Sequence, residues 1–200
     1  MIERADLRDN ERLIGAVATS ADLAAWVMGS TNWRNEQLIT TIIGNPACAA
    51  EVLIARPDLR TDERLIAAVA DSPRWATAVV CETQHRDPRL IHAIARDPMR
   101  AAQAAIMAGL RDDVIMESIA RSNEATIQVV ALTDTEDERL IQIVASDPHA
   151  IRRVMKRRPK VRAAIAAAVR ARSASKPRNQ ATHRDNPPDA GETGSQQMPQ

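Results

Sequence analysis

Hydrophobic positions recur along this chain at a fixed interval, and each recurrence opens on the same phrase. "ERLIGAVATSA" begins at Glu11, "ERLIAAVADSP" at Glu63, "PRLIHAIARDP" at Pro88 and "ERLIQIVASDP" at Glu138. With the leucine of the phrase as position 0, that position is Leu13, Leu38, Leu65, Leu90, Ile115 and Leu140, at spacings of 25, 27, 25, 25 and 25 residues. Apolar residues follow at +1 (Ile14, Ile39, Ile66, Ile91, Met116, Ile141) and at +4 (Val17, Ile42, Val69, Ile94, Ile119, Val144). Position +5 is alanine in every unit but one, where it is Ile43. Apolar residues at 0, 1, 4 and 5 form one stripe on a helix.

Polar positions mark where these helices start. Three residues before position 0 stand Asn10, Asn35, Asp62, Asp87, Asp112 and Asp137, all residue types that cap free N–H groups. At +7 stand Ser20, Asn45, Ser72, Asp97, Ser122 and Asp147, and the next residue is proline in four of the six units. A capping residue followed by proline predicts the N-terminus of a second helix. That helix carries its own apolar positions at +14 and +15, for example Val79 and Val80. Each unit therefore reads as a first helix of about eight residues, a tight corner, a second helix of about ten, and a polar loop.

A fixed period in this range predicts an all-α, α-solenoid architecture of about six 25-residue two-helix repeats. One unit cannot stand alone. Roughly five large apolar side chains gain about 1.5–3 kcal/mol each on burial. Ordering the backbone of a whole unit costs at least ~1 kcal/mol per residue. The units must stack. The stretch "IERADLRDNERLI" (2–14) echoes "IARPDLRTDERLI" (54–66), so the chain opens on the tail of a partial unit. At the other end Val161, Ile165 and Val169 are spaced by four, which predicts a capping helix with these three on one side. The expected domains are a helical repeat domain over 1–172 and a disordered tail over 173–200, rich in Pro, Gly and Gln.

The phrase L-I-x-x-V-A-x-D/S-P, carried here by Leu65, Ile66, Val69, Ala70, Ser72 and Pro73, resembles the leucine-rich repeat variant family. HEAT-like solenoids also use short helices punctuated by Asp-Pro. The resemblance covers residues 9–160. It implies a right-handed superhelix of short helices, some with 3₁₀ character, and an interaction scaffold without catalytic residues. The second half of the unit departs from the family pattern, its valines standing two positions away. Some relatives carry a cysteine-rich segment for an iron–sulfur cluster. This chain has only Cys48 and Cys81, so no cofactor and no metal are expected.

Composition narrows the picture further. The chain of 200 residues has three Trp and no Phe or Tyr, so its core must be built from aliphatic side chains. Two distant cysteines suggest no disulfide framework, and neither a signal peptide nor a membrane span is legible. A soluble, cytoplasmic protein that avoids membranes is the expectation. The histidines, His85, His92, His149 and His183, occupy unrelated repeat positions, and no catalytic motif accompanies them, so no enzyme is expected. The acidic run "TDTEDE" (133–138) lacks the glycine and spaced ligands of a calcium loop and reads as a loop ending in the Asp137 cap. The row Arg12, Arg64, Arg89 and Arg139 at −1 reads as a solvated face whose charge is offset by acid at the helix start.

Net charge is +1, yet it is segregated. Residues 1–150 carry 15 Arg against 23 acids, a balance of −8, whereas residues 151–184 carry 12 Lys or Arg and no acid. Two function classes follow. The first is a non-catalytic protein–protein interaction scaffold with an unknown partner. It would bind through variable positions on the second helices, Trp75, Arg100, Gln103, Gln128 and Arg152. Trp26 and Trp75 are further candidate anchors there, or else pack between units. The alternative is nucleic-acid binding through 152–178, led by Arg152, Arg153, Lys156, Arg157, Arg158, Lys160 and Arg162. The same cations suit an acidic partner protein or the chain's own acidic body equally well.

Overall fold

The computed structural model describes residues 10–174. Thirteen α-helices run in chain order: α1 Glu11–Val17, α2 Ala21–Ser30, α3 Glu36–Ile42, α4 Pro46–Ala55, α5 Glu63–Ala70, α6 Pro73–Thr83, α7 Pro88–Ala95, α8 Pro98–Met107, α9 Asp113–Ala120, α10 Asn123–Leu132, α11 Glu138–Ala145, α12 Pro148–Arg157 and α13 Arg162–Ala174. Single 3₁₀ turns, Pro57–Leu59 and Pro159–Val161, precede α5 and α13, and the described residues contain no strand. The short first helices are α-helical, so among the described residues the 3₁₀ character implied by the family resemblance appears only in these two turns. The partial unit expected before Asn10 and the tail beyond Ala174, with Lys176, Arg178 and His183, lie outside the described residues. Helix α13 runs two residues past the expected boundary at 172.

Most expected caps form. Asp87 accepts from the Arg89 backbone N–H at 2.8 Å, Asp97 from Met99 at 2.9 Å and Arg100 at 3.3 Å, and Asp147 from His149 at 2.8 Å. Asp112 and Ser72 stand at cap positions and make no such bond.

Neighbouring helices pack in sequence order. Each even helix rests on the next even one, from α2 through α12, and those from α2 to α10 also pack on the following odd helix. Helices α5, α7, α9, α11 and α13 pack in the same way along the odd side. The stripe at positions 0, +1 and +4 fills the space between: Leu38, Ile42, Leu65, Val69, Leu90, Ile94, Leu140 and Val144 have no exposed surface. Small residues set the approach of the even helices. Ala24, Ala49, Ala76 and Ala101 are fully buried, and a core without Phe or Tyr closes because these rows let the helices come close.

Between α3 and α5 the regular pattern is interrupted. The 27-residue spacing places its two extra residues at the 3₁₀ turn, and Leu59 at the end of that turn plugs the core. Charge bridges the gap, with Arg64 to Glu36 at 2.6 Å and Arg34 to Asp62 at 3.8 Å.

The capping helix differs from expectation in one residue. Val161 and Ile165 are buried, but Val169 is 37% exposed and Ala168 packs against the core instead. A step of four residues overshoots a full turn by about 40°, so two steps carry Val169 off the stripe, whereas seven residues return Ala168 to it.

Candidate binding surface

Arginines stitch the units together. Arg96 donates to the Ala70 carbonyl at the end of α5, and Arg121 donates to that of Ala95 at the end of α7, at 2.8 Å. In each case a cation from the next unit closes the C-terminus of the helix before it, where free carbonyls gather. Arg56 reaches further. It is buried, and its Nη1 donates to the carbonyls of Met28 (2.9 Å), Thr31 and Trp33 (3.2 Å), while Nε and Nη2 hold Asp58. Arg158 repeats the arrangement on the Thr133 carbonyl and the Asp134 carboxylate, the latter at 2.7 Å. Both arginines stand at +18 and precede a proline that opens a 3₁₀ turn. The unit before each carries Thr at +18, whose hydroxyl donates back to its own helix: Thr31 to Val27 at 2.7 Å, Thr133 to Val129 at 2.8 Å. Position +18 runs Thr31, Arg56, Thr83, Ala108, Thr133 and Arg158, a recurrence of Thr and Arg that is legible as letters although no expectation was drawn from it.

The arginine row at −1 has a structural role. Arg89 and Arg139 each turn back on the cap residue two positions earlier, Asp87 at 3.1 Å and Asp137 at 3.0 Å. Arg64 does the same with Asp62 at 3.1 Å and adds Glu36. The guanidinium holds the Asp87 and Asp137 carboxyls below the usual carboxylate range. Burial raises Asp62, but the hydrogen bonds from Arg64 outweigh it and the net shift is downward. For Arg64, Arg89 and Arg139 the cap aspartate, rather than the acid or proline just before, is the ion-pair partner.

Of the candidate partner-binding residues, Trp75 is half-buried on α6 with the Arg74 guanidinium 4.8 Å from its ring centre. On α8, Arg100 donates to Gln103 at 2.8 Å, and on α10 Gln128 donates to Glu124 at 3.3 Å; all three cations and amides here are half-buried. Arg152 on α12 is exposed. The even helices also present large apolar side chains that the sequence reading did not select. Trp26, which it did, is 67% exposed on α2; beside it are Leu23 and, farther along, Met99 and Met107 on α8 and Leu132 on α10. Met107 and Leu132 share position +17 in successive units, so they stand side by side on helices that pack together.

The basic segment divides into bound and unbound cations. Arg153 forms a two-pronged pair with Glu124 at 2.7 and 2.9 Å, and Arg158 is held as described. Arg152, Lys156, Arg157, Lys160 and Arg162 are exposed. A groove between α10 and α12 is lined by Ile127, Gln128, Ala131, Arg153, Lys156 and Arg157.

Both cysteines are free thiols. Cys48 is buried and donates to Asp22 at 3.1 Å; burial, then that carboxylate, push its pKa up to about 12. Among the described residues no group of His, Cys, Asp and Glu is placed to hold a metal ion, and no single helix is long and apolar enough to cross a membrane. Compared with models of known protein families, with curated proteins and with solved structures, the chain matches none.

Proposed function

We propose that the stacked helices form an α-solenoid of six two-helix units closed by α13, and that it serves as a non-catalytic scaffold for a protein partner. The contacting surface is the solvent side of the even helices. One contrast carries this reading. Apolar positions that recur from unit to unit are buried, while the solvent side of the even helices varies and leaves Trp26, Met99, Met107 and Leu132 exposed. Exposed aromatic and methionine side chains of this kind are the usual anchors of a protein interface. Trp75 adds a half-buried ring, and Arg100, Gln103 and Gln128 supply the polar surroundings. The resemblance of the Leu65–Pro73 phrase to leucine-rich repeat variant units supports the same reading. The right-handed superhelix belongs to this proposal.

The test replaces Trp26, Met99, Met107 and Leu132 together by Ser and compares the variant with the parent chain as bait. A partner retained by the parent and released by an equally stable, equally helical variant is the expected result. Equal recovery by both baits overturns the assignment of the surface.

A further inference from the structure

The even helices have a direction. A Cβ at Gly29 (+16) would meet the Cβ of Ala55 on the next even helix at 3.4 Å. Asp22 (+9) accepts from Cys48 on the next even helix, and Glu124 (+9) holds Arg153 of the next. Positions +9 and +16 of each even helix therefore face its successor, and +12 lies between them on the same side. Where a successor exists, +12 is small or apolar and buried: Ala25, Ala50, Thr77, Ala102 and Ile127. At +16 stand Gly29, Ile54, Cys81, Ile106 and Ala131, all at least half covered.

On α12 positions +12 and +16 are Arg152 and Lys156, and both are exposed; +9, exposed in most earlier units too, is His149. Helix α13 does not succeed α12. It packs on α11 and extends the odd side, so no described helix covers this face. Arg157, Lys160 and Arg162 continue the charge along the chain. Residues 151–174 hold nine Lys or Arg and no acid. Arg153 and Arg158 are bound to Glu124 and Asp134, whereas Arg152, Lys156, Arg157, Lys160 and Arg162 make no hydrogen bond or ion pair among the described residues; Arg157 acts on Glu124 only through its field, and Lys160 lines a cleft shared with Glu136 and Glu138.

We propose that this uncovered end of the even helices, carrying Arg152, Lys156 and Arg157 and followed along the chain by Lys160 and Arg162, binds the phosphate backbone of duplex nucleic acid without reading its sequence. Two features select this partner. Neither α12 nor the following 3₁₀ turn has an exposed large apolar side chain to anchor a protein, and phosphate contacts need none. The face has no Trp, Tyr or Phe, and its one ring is the His149 imidazole, so it offers a row of cations with little stacking surface, which favours duplex over single strand. Arginine forks match phosphate oxygens, and each neutralised phosphate releases counterions, so binding weakens steeply with salt.

The test uses the full chain and a fluorescent random-sequence duplex of about 20 base pairs, titrated from about 50 to 200 mM salt. Binding in the micromolar range at low salt is expected, with log affinity falling against log salt at a slope of about −3 to −5. R152Q/K156Q/R157Q should weaken binding at least roughly tenfold and flatten the slope by about 2–3. Its helicity and Tm should match the parent chain's. Absence of binding at low salt overturns the proposal and leaves these cations as a polar terminus of the stack. Binding that survives the triple substitution also overturns it. Equal affinity for poly-glutamate would assign the face to an acidic polypeptide instead. The proposal is independent of the scaffold reading, because the four serine substitutions on the even helices leave these cations in place.

Discussion

Arg56 shows how much one side chain holds at the residue scale. Its guanidinium reaches the last turn of α2 and the loop that follows, and satisfies the carbonyls of Met28, Thr31 and Trp33. Arg56→Ala leaves those acceptors without their donor, and a charge-assisted bond is worth about 1.5–3 kcal/mol, so a loss of ~3 kcal/mol is expected in urea unfolding. Arg74→Ala, on an exposed residue, should cost well under ~1 kcal/mol in the same assay. Gln84 makes the opposite case. It closes α6 with φ of 57°, the left-handed region that Gly109 fills after α8 with φ of 66°. A Cβ is strained there, so Gln84→Gly should raise stability by about 0.5–1 kcal/mol. The letters Arg56 and Gln84 stood in plain view in the sequence. What they touch depends on a neighbouring unit or on a local φ, and neither follows from residue type.

Helix starts were the most legible feature at the element scale, because a cap acts within three residues of itself. Legibility stops at geometry. Asp97 and Asp112 occupy equivalent-looking positions, yet only Asp97 accepts from its helix. Asp97→Ala should therefore cost ~1 kcal/mol and Asp112→Ala only a few tenths, measured as the difference in urea midpoint at constant m. The caps also set the response to acid. Asp62, Asp87 and Asp137 have folded pKa values below their unfolded ones. Such a carboxylate contributes fully above its unfolded pKa, and the contribution is lost as pH falls through the folded value. Stability should hold between pH 7 and 5 and decline below about pH 4. Replacing Asp87 and Asp137 by Asn should lower stability at pH 7 and flatten that decline; a decline of unchanged steepness would place its origin elsewhere.

Over the whole molecule, each helix depends on its neighbours in the stack, so damage at an end should spread. Ile165 is buried where α13 covers α11. Ile165→Ala should cost about 2–4 kcal/mol and lower the Tm of a single cooperative transition, whereas Val169→Ala, on the exposed side, should cost less than ~1 kcal/mol. The period, the two-helix unit and the buried stripe at 0, +1 and +4 were written in the sequence by itself, because each depends only on residue type and the pitch of a helix. The chain's own letters also located the basic end. Only the tertiary structure decided which cations there are bound and which are open. Arg153 and Arg158 look like their neighbours in the chain, but Glu124 and Asp134 come from the preceding unit. Arg152 stands at a position that is buried in every earlier unit and Lys156 at one that is at least partly covered there, and both are exposed here because no described helix packs on this side of α12. Exposure in a stack is a property of what lies next in space, and a repeat read one unit at a time cannot contain it.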